Sequence, residues 1–142
     1  RVAISLLRNQ PRKRLLTELL AASGGADMQT AMSLAVLRGM LTGMALAAPQ
    51  GGARPSSEDI DGMVKAARPG MRSTMRSVSL PSLSLAYAKL TDAELAQYLA
   101  FLKSPSGRKN TAAVVAAFIT QMHTRGTALG ERFAKEMAVQ RL

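Results

Sequence analysis

One histidine, nine carboxylates and no cysteine are the side chains with which this chain could do chemistry. Nucleophilic catalysis needs an activated serine, cysteine or lysine beside a base. The single histidine, His123, falls inside a helical run, and nothing near it in sequence resembles a triad; it reads as a surface or satisfied histidine. Metal sites need several ligating side chains at fixed spacing. Glu58, Asp59 and Asp61 are close together, but the first turn of a helix attracts acids for dipole reasons alone, and no calcium-loop spacing follows. Glu131 and Glu136 are flanked by Arg132 and Lys135 and read as surface ion pairs. No glycine-rich phosphate cradle is present. The chain therefore reads as non-enzymatic, with no catalytic, metal or cofactor site.

Basic residues suggest binding instead. The free N–H groups of Ser106, Gly107 and Arg108 open a long helical run, with Lys103 and Lys109 beside them. Such a terminus can hold an anion. The alternative is that Ser104 caps the helix and leaves nothing to bind. Lys65, Arg68, Arg72 and Arg76 share a helical spacing, though Pro69 interrupts the run. Arg1, Arg8, Arg12, Lys13 and Arg14 all precede the first acid, Glu18. They form either a solvated helix face or a docking patch for an anionic surface. No aromatic residue lies among them for base stacking, which argues against single-stranded nucleic acid.

These residues need helices to position them. Thr91 with Glu94 three positions on is a capping box. Leu95, Tyr98, Leu99 and Leu102 then recur on one helical face. Ser104–Pro105 stops that helix and starts another, because proline disfavours a helical residue before it and suits the first helical position. Gly107 lets the new helix press against a neighbour.

Tyr87, Lys89, Thr91, Asp92, Glu94 and Leu95, followed by Phe101, Ser104, Pro105, Gly107 and Lys109, resemble the signature of the bacterial domain-of-unknown-function 2059 family. The match is specific over residues 87–109, compositional from there to Met137, and weak before Tyr87. Leu102 departs from it where a second aromatic would follow Phe101. The resemblance implies a small all-helical protein exported to the periplasm or secreted. It implies no activity and no catalytic residues.

The rest of the chain is read as further helices. Pro11 interrupts or begins a helix carrying Leu15, Leu16, Leu19 and Leu20, which Ser23–Gly24–Gly25 ends. Asp27 caps a run over 28–48 that is apolar on nearly every side, with Arg38 its only charge. Its length would span a bilayer, and Gly39 and Gly43 form a small-residue packing pair. An arginine at mid-span costs about 3 kcal/mol even on a lenient scale. A buried rod at the centre of a bundle is the reading adopted, not a membrane span, with the two glycines marking a crossing helix. Met28, Met32, Met40 and Met44 drift along one side of this run as a candidate apolar partner surface, or as flexible core filling.

The segment 49–57 is a breaker-rich loop, with Ser57 as the cap of a helix that Pro69–Gly70 ends. A further helix over 71–90 carries Pro81 inside it, which should kink or divide it; Ser77, Ser79, Ser82 and Ser84 can bond to freed carbonyls. The last helix runs from Pro105 to about Val139, on the order of 50 Å, with Gly126 and Gly130 as points of bending. Val115, Phe118, Ile119, Met122, Leu129, Phe133 and Met137 form its apolar stripe.

The length of 142 residues suits one domain with a core of its own. Apolar residues make up 47%, mostly the helix formers Ala, Leu and Met, and no alternating strand pattern occurs. The expected fold is an all-α, single-domain bundle of five or six helices with a long C-terminal helix. Residue 1 is Arg and no signal peptide is present, so the chain is read as processed, or as the C-terminal part of a longer exported protein. The net charge of +10 attracts anionic partners. The leading function is an exported accessory module whose Met-lined apolar surface binds a protein or lipid. The second is a basic module for an anionic surface, envelope lipid or nucleic acid, with nucleic acid the less favoured. A protruding stripe on the last helix makes a second copy of the chain one candidate partner.

Overall fold

A computed structural model describes residues 9–48 and 54–139. The run Arg1–Asn9, but for its last residue, and positions 49–53 of the expected loop lie outside the described residues. Among those described, the fold is an all-α bundle of five helices: α1 (Gln10–Ala22), α2 (Gly25–Ala47), α3 (Ser57–Ala86), α4 (Asp92–Lys103) and α5 (Pro105–Val139). They gather into two compact units. One holds the described residues up to Gln29 together with Arg72–Val115, the other Thr30–Met71 with those from Ala116 onward. Three helices, α2, α3 and α5, contribute residues to both.

The first unit is built on leucine. Asn9 caps α1 by accepting from the Arg12 N–H at 3.2 Å, and Pro11 sits in the first turn, where no N–H is missed. Leu16 and Leu19 of α1 are buried against Leu95, Leu99 and Leu102 of α4. Leu80 and Leu83 of α3 close the cluster with Tyr87 and Leu90. Burying one leucine side chain contributes about 1.5–3 kcal/mol, so this cluster dominates the unit. The chain leaves α1 through Gly24 and Gly25, whose φ values of 91° and 56° suit only glycine readily.

The corner between α4 and α5 is tightly specified. Thr91 Oγ1 accepts from the Glu94 N–H at 3.2 Å, while the Glu94 carboxylate accepts from the Thr91 N–H at 2.7 Å. Ser104 is extended (φ −69°, ψ 158°), and its hydroxyl oxygen accepts from the Gly107 N–H at 3.0 Å. A Cβ on Gly107 would drive into the Phe101 carbonyl, so the close approach requires glycine.

The second unit packs α2 between α3 and α5. Leu34 of α2 meets Ile60 and Val64 of α3, with Leu37, Leu41 and Ala45 alongside. On its other side α2 meets α5 backbone to backbone. A Cβ at Gly39 would lie 2.8 Å from the Thr127 nitrogen, and one at Gly43 2.8 Å from the Glu131 nitrogen. Gly126 and Gly130 of α5 answer them, against the backbones of Val36 and Met40. Two small-residue pairs thus face each other across one helix crossing.

Several sequence expectations change. Neither Pro69–Gly70 nor Pro81 breaks the chain, and α3 runs as one helix through both. Each proline removes one ladder bond, but apolar anchors flank both. Val64, Ala67 and Met71, on either side of Pro69, pack into the second unit's cluster, and Leu80 and Leu83, on either side of Pro81, into the first unit's. The serines do back-bond, though to other carbonyls than the Ser77 one that Pro81 frees. Ser84 donates to Pro81 at 2.8 Å, Ser77 to Thr74 at 2.8 Å, and Ser79 to Met75. The α3 cap is Ser56, one residue earlier than expected, in a reciprocal pair with Asp59. Helix α2 begins at Gly25, with Asp27 inside its first turn. Gly126 and Gly130 do not break α5, which runs through them; both lie at the α2 crossing.

The buried rod is also corrected in degree. Helix α2 is long and apolar enough to cross a membrane, yet only 22% of its most apolar stretch is buried. Within the second unit α3 and α5 cover two of its sides. Burial there concentrates on Thr30, Leu34, Ala35, Gly39 and Gly43, and most other positions stay half-buried.

Candidate functional site

The site is best sought in the second unit, where α5 is held by its glycines and turns large apolar side chains outward. Gly126 and Gly130 face α2, and they carry no side chain that could wrap the neighbour. Phe118, Leu129, Phe133 and Met137 are left 48%, 51%, 47% and 40% exposed. Spacings of eleven, four and four drift by about 20°, 40° and 40°, so the four fall within an arc of about 100° of the helix. Arg125, Arg132 and Lys135 are exposed on the same helix.

A second feature of this unit is a cleft of about 450 Å³ bounded by α2, α3 and α5. Its floor is apolar: Leu34, Ala35 and Val64 are buried there, and Ile119 is half-buried. Its polar lining comes from Arg38, Arg68, His123, Thr120 and Thr124, and no carboxylate lines it. Arg38 is ion-paired with Asp61. No hydrogen bond or ion pair engages the side chains of Arg68 and His123 among the described residues. Both threonine hydroxyls donate to their own helix, Thr120 to Ala116 and Thr124 to Thr120, each at 3.1 Å.

The four methionines singled out from sequence do not form one exposed strip. Met28 stands beside Gly24 in the first unit, and Met32 and Met40 are half-buried in the second. Only Met44 reaches 36% exposure. The long helix α2 carries them around its circumference, because a spacing of four drifts relative to 3.6 residues per turn.

The anion candidate at the start of α5 is largely occupied by the protein itself. Ser104 takes the Gly107 N–H through its side chain, and its carbonyl takes the Arg108 N–H at 3.0 Å. Lys103 pairs with Glu18 at 2.6 Å. Ser106 and the side chains of Arg108 and Lys109 remain exposed. The arrangement is a satisfied helix start rather than an anion cradle.

The basic N-terminal patch loses its centre too. Arg12 is buried, donating to Asp92 at 2.6 Å and to the Tyr87 carbonyl at 2.8 Å. It ties α1 to the turn ahead of α4 instead of facing solvent, while Lys13 and Arg14 are exposed. Arg1 and Arg8 lie outside the described residues. Because α3 is unbroken, Lys65, Arg68, Arg72 and Arg76 do lie on one helix. Arg72 is held by Asp27 at 2.7 Å within the first unit, whereas Lys65 and Arg68 belong to the second.

Three groups have displaced pKa values, each for a local reason. Backbone and then side-chain hydrogen bonds from Thr91 hold the Glu94 carboxyl below its ordinary value. The Ser56 hydroxyl and then its N–H do the same for Asp59. Burial, and then Tyr98 lying edge-on at 6.0 Å, raises the Tyr87 phenol. All three belong to helix starts or to the leucine cluster, not to the cleft.

Comparison of the chain with family models, with curated proteins and with solved structures finds no match. Function is therefore argued from geometry. Sequence reasoning named Arg68 and His123 one at a time, in unrelated arguments. Nothing in their spacing pairs them, because they lie on α3 and α5 and meet only through the packing of both on α2. Among the described residues, no three His, Cys, Asp or Glu side chains cluster as metal ligands.

Proposed function

We propose that this chain is a non-enzymatic binding module that docks a protein or lipid partner through the apolar face of α5. The observation that carries the reading is the exposure of Phe118, Leu129, Phe133 and Met137 along a helix that Gly126 and Gly130 hold at backbone distance from α2. Exposed apolar patches mark interaction sites when they are large. The resemblance at residues 87–109 supports an exported, periplasmic or secreted protein of the domain-of-unknown-function 2059 type. Helix α2 is read as internal to the second unit and not as a membrane span, since Arg38 at its middle pairs with Asp61 of α3.

Leu129→Asp with Phe133→Asp tests the docking face. Both side chains are exposed, so the helical circular dichroism and the melting profile should not change. Ultracentrifugation reads self-association, vesicle flotation reads lipid, and native mass spectrometry reads a co-purifying partner. The native chain should be positive in at least one and the double variant negative in the same one. A native chain negative in all three, or a variant that binds equally well, overturns the reading.

The second reading, a basic module for an anionic surface, draws on the net charge of +10 and on Arg125, Arg132 and Lys135 along α5. It predicts vesicle or duplex binding that falls steeply with salt.

A further inference from the structure

The cleft of the second unit combines an apolar floor with a cationic lining. Its floor is aliphatic, with Leu34 at 4%, Val64 at 7% and Ala35 at 9% exposure. Its charged lining is cationic, from Arg38 and Arg68, and includes no carboxylate. An apolar ligand alone would make no use of the Arg68 guanidinium. An inorganic anion alone would leave the floor in contact with water. A molecule with an alkyl chain and a carboxylate head satisfies both. The volume of about 450 Å³ lies within the range of roughly 300–1,000 Å³ usual for small-molecule sites, towards its small end. That favours a single chain of medium length over a two-chain lipid.

We propose that this cleft binds a medium-chain carboxylate, its alkyl chain on Leu34, Ala35 and Val64 and its head on Arg68 and His123. The planar fork of Arg68 matches a carboxylate in two-point contact. Arg38 is committed to Asp61 and stands as a secondary cation at the lining. Thr120 and Thr124 have spent their hydroxyl protons on α5 and offer the head no donor. The site is separate from the α5 docking face, whose Leu129 and Phe133 do not line it.

The test uses decanoate added to the full chain, followed by calorimetry and by the ring resonances of His123, the only histidine. Decanoate should bind saturably and shift those resonances. Arg68→Glu, at an exposed position, should keep the fold and weaken decanoate by about ten-fold or more. Decyltrimethylammonium has the same tail and the opposite charge, and should not bind saturably. The Leu129→Asp, Phe133→Asp double variant should bind decanoate as the native chain does, so loss of docking and loss of the cleft ligand are told apart. Three outcomes would overturn the proposal: no saturable decanoate binding, equal binding by Arg68→Glu, or equal binding of the cationic amphiphile.

Discussion

The two units solve the same packing problem in opposite ways. The first buries large aliphatic side chains, with Leu16 and Leu95 fully enclosed and Arg12 tying α1 to the turn before α4. The second brings α2 and α5 together at backbone distance through Gly39, Gly43, Gly126 and Gly130. Close approach by glycine leaves no side chain at the crossing to shield what lies beside it. Phe118, Leu129 and Phe133 stay about half-exposed, and a cleft with an apolar floor remains open. A core of leucines closes on itself, whereas a crossing of glycines leaves apolar surface exposed beside it.

The largest expected effect is at that crossing. Gly39→Leu or Gly43→Leu must push two backbones apart and should cost about 3 kcal/mol or more in denaturant unfolding. Amide exchange should show protection lost first in residues 30–47 and 116–139. Equal and simultaneous loss throughout the leucine cluster would break the contrast drawn between the units.

Next comes the leucine cluster itself. Leu16→Ala or Leu95→Ala should cost about 2–5 kcal/mol, as for other fully buried leucines. Arg12→Met should cost less, about 1–2 kcal/mol, because its partner Asp92 is 46% exposed and water can replace the lost contact. A loss as large as that of Leu95→Ala would mean that the ion pair, not the apolar cluster, organises this unit.

Glycines outside the crossing should behave in the opposite sense. A Cβ on Gly62 or Gly70 of α3 meets nothing within 4 Å. Gly62→Ala should therefore raise stability by about 0.5–1 kcal/mol, read as a higher midpoint in urea. A destabilising Gly62→Ala would show that the face it occupies is covered.

The smallest effect is in pH. Glu94 and Asp59 have folded pKa values below their ordinary ones, so the support they lend is present above the ordinary carboxylate range. It is lost as pH falls through the lowered folded values. Melts at stepped pH should show a shallow decline below about pH 4, and Glu94→Gln should make it shallower still. Both carboxylates are solvent-exposed, which keeps the change small.

Much of the local structure could be read directly from residue order. Thr91 with Glu94 and Ser104–Pro105 are signals complete within four residues, and their hydrogen bonds form as their spacing implies. Pro69–Gly70 misled for the same reason. A local rule counts the ladder bond a proline removes, but not the Val64, Ala67 and Met71 contacts that hold the helix across it. Arg12 likewise looks like one of a surface cluster until Asp92 and the Tyr87 carbonyl are brought to it from about eighty residues away.

Helix starts and stops depend on atoms a few bonds apart, and so the order of residues sets them without help. Which glycine faces which, whether an arginine is buried, and what lines a cleft depend on side chains far apart in the chain. Gly39 and Gly126, or Arg68 and His123, have no relation until α3 and α5 pack on α2, because non-local contacts alone decide how helical faces are matched.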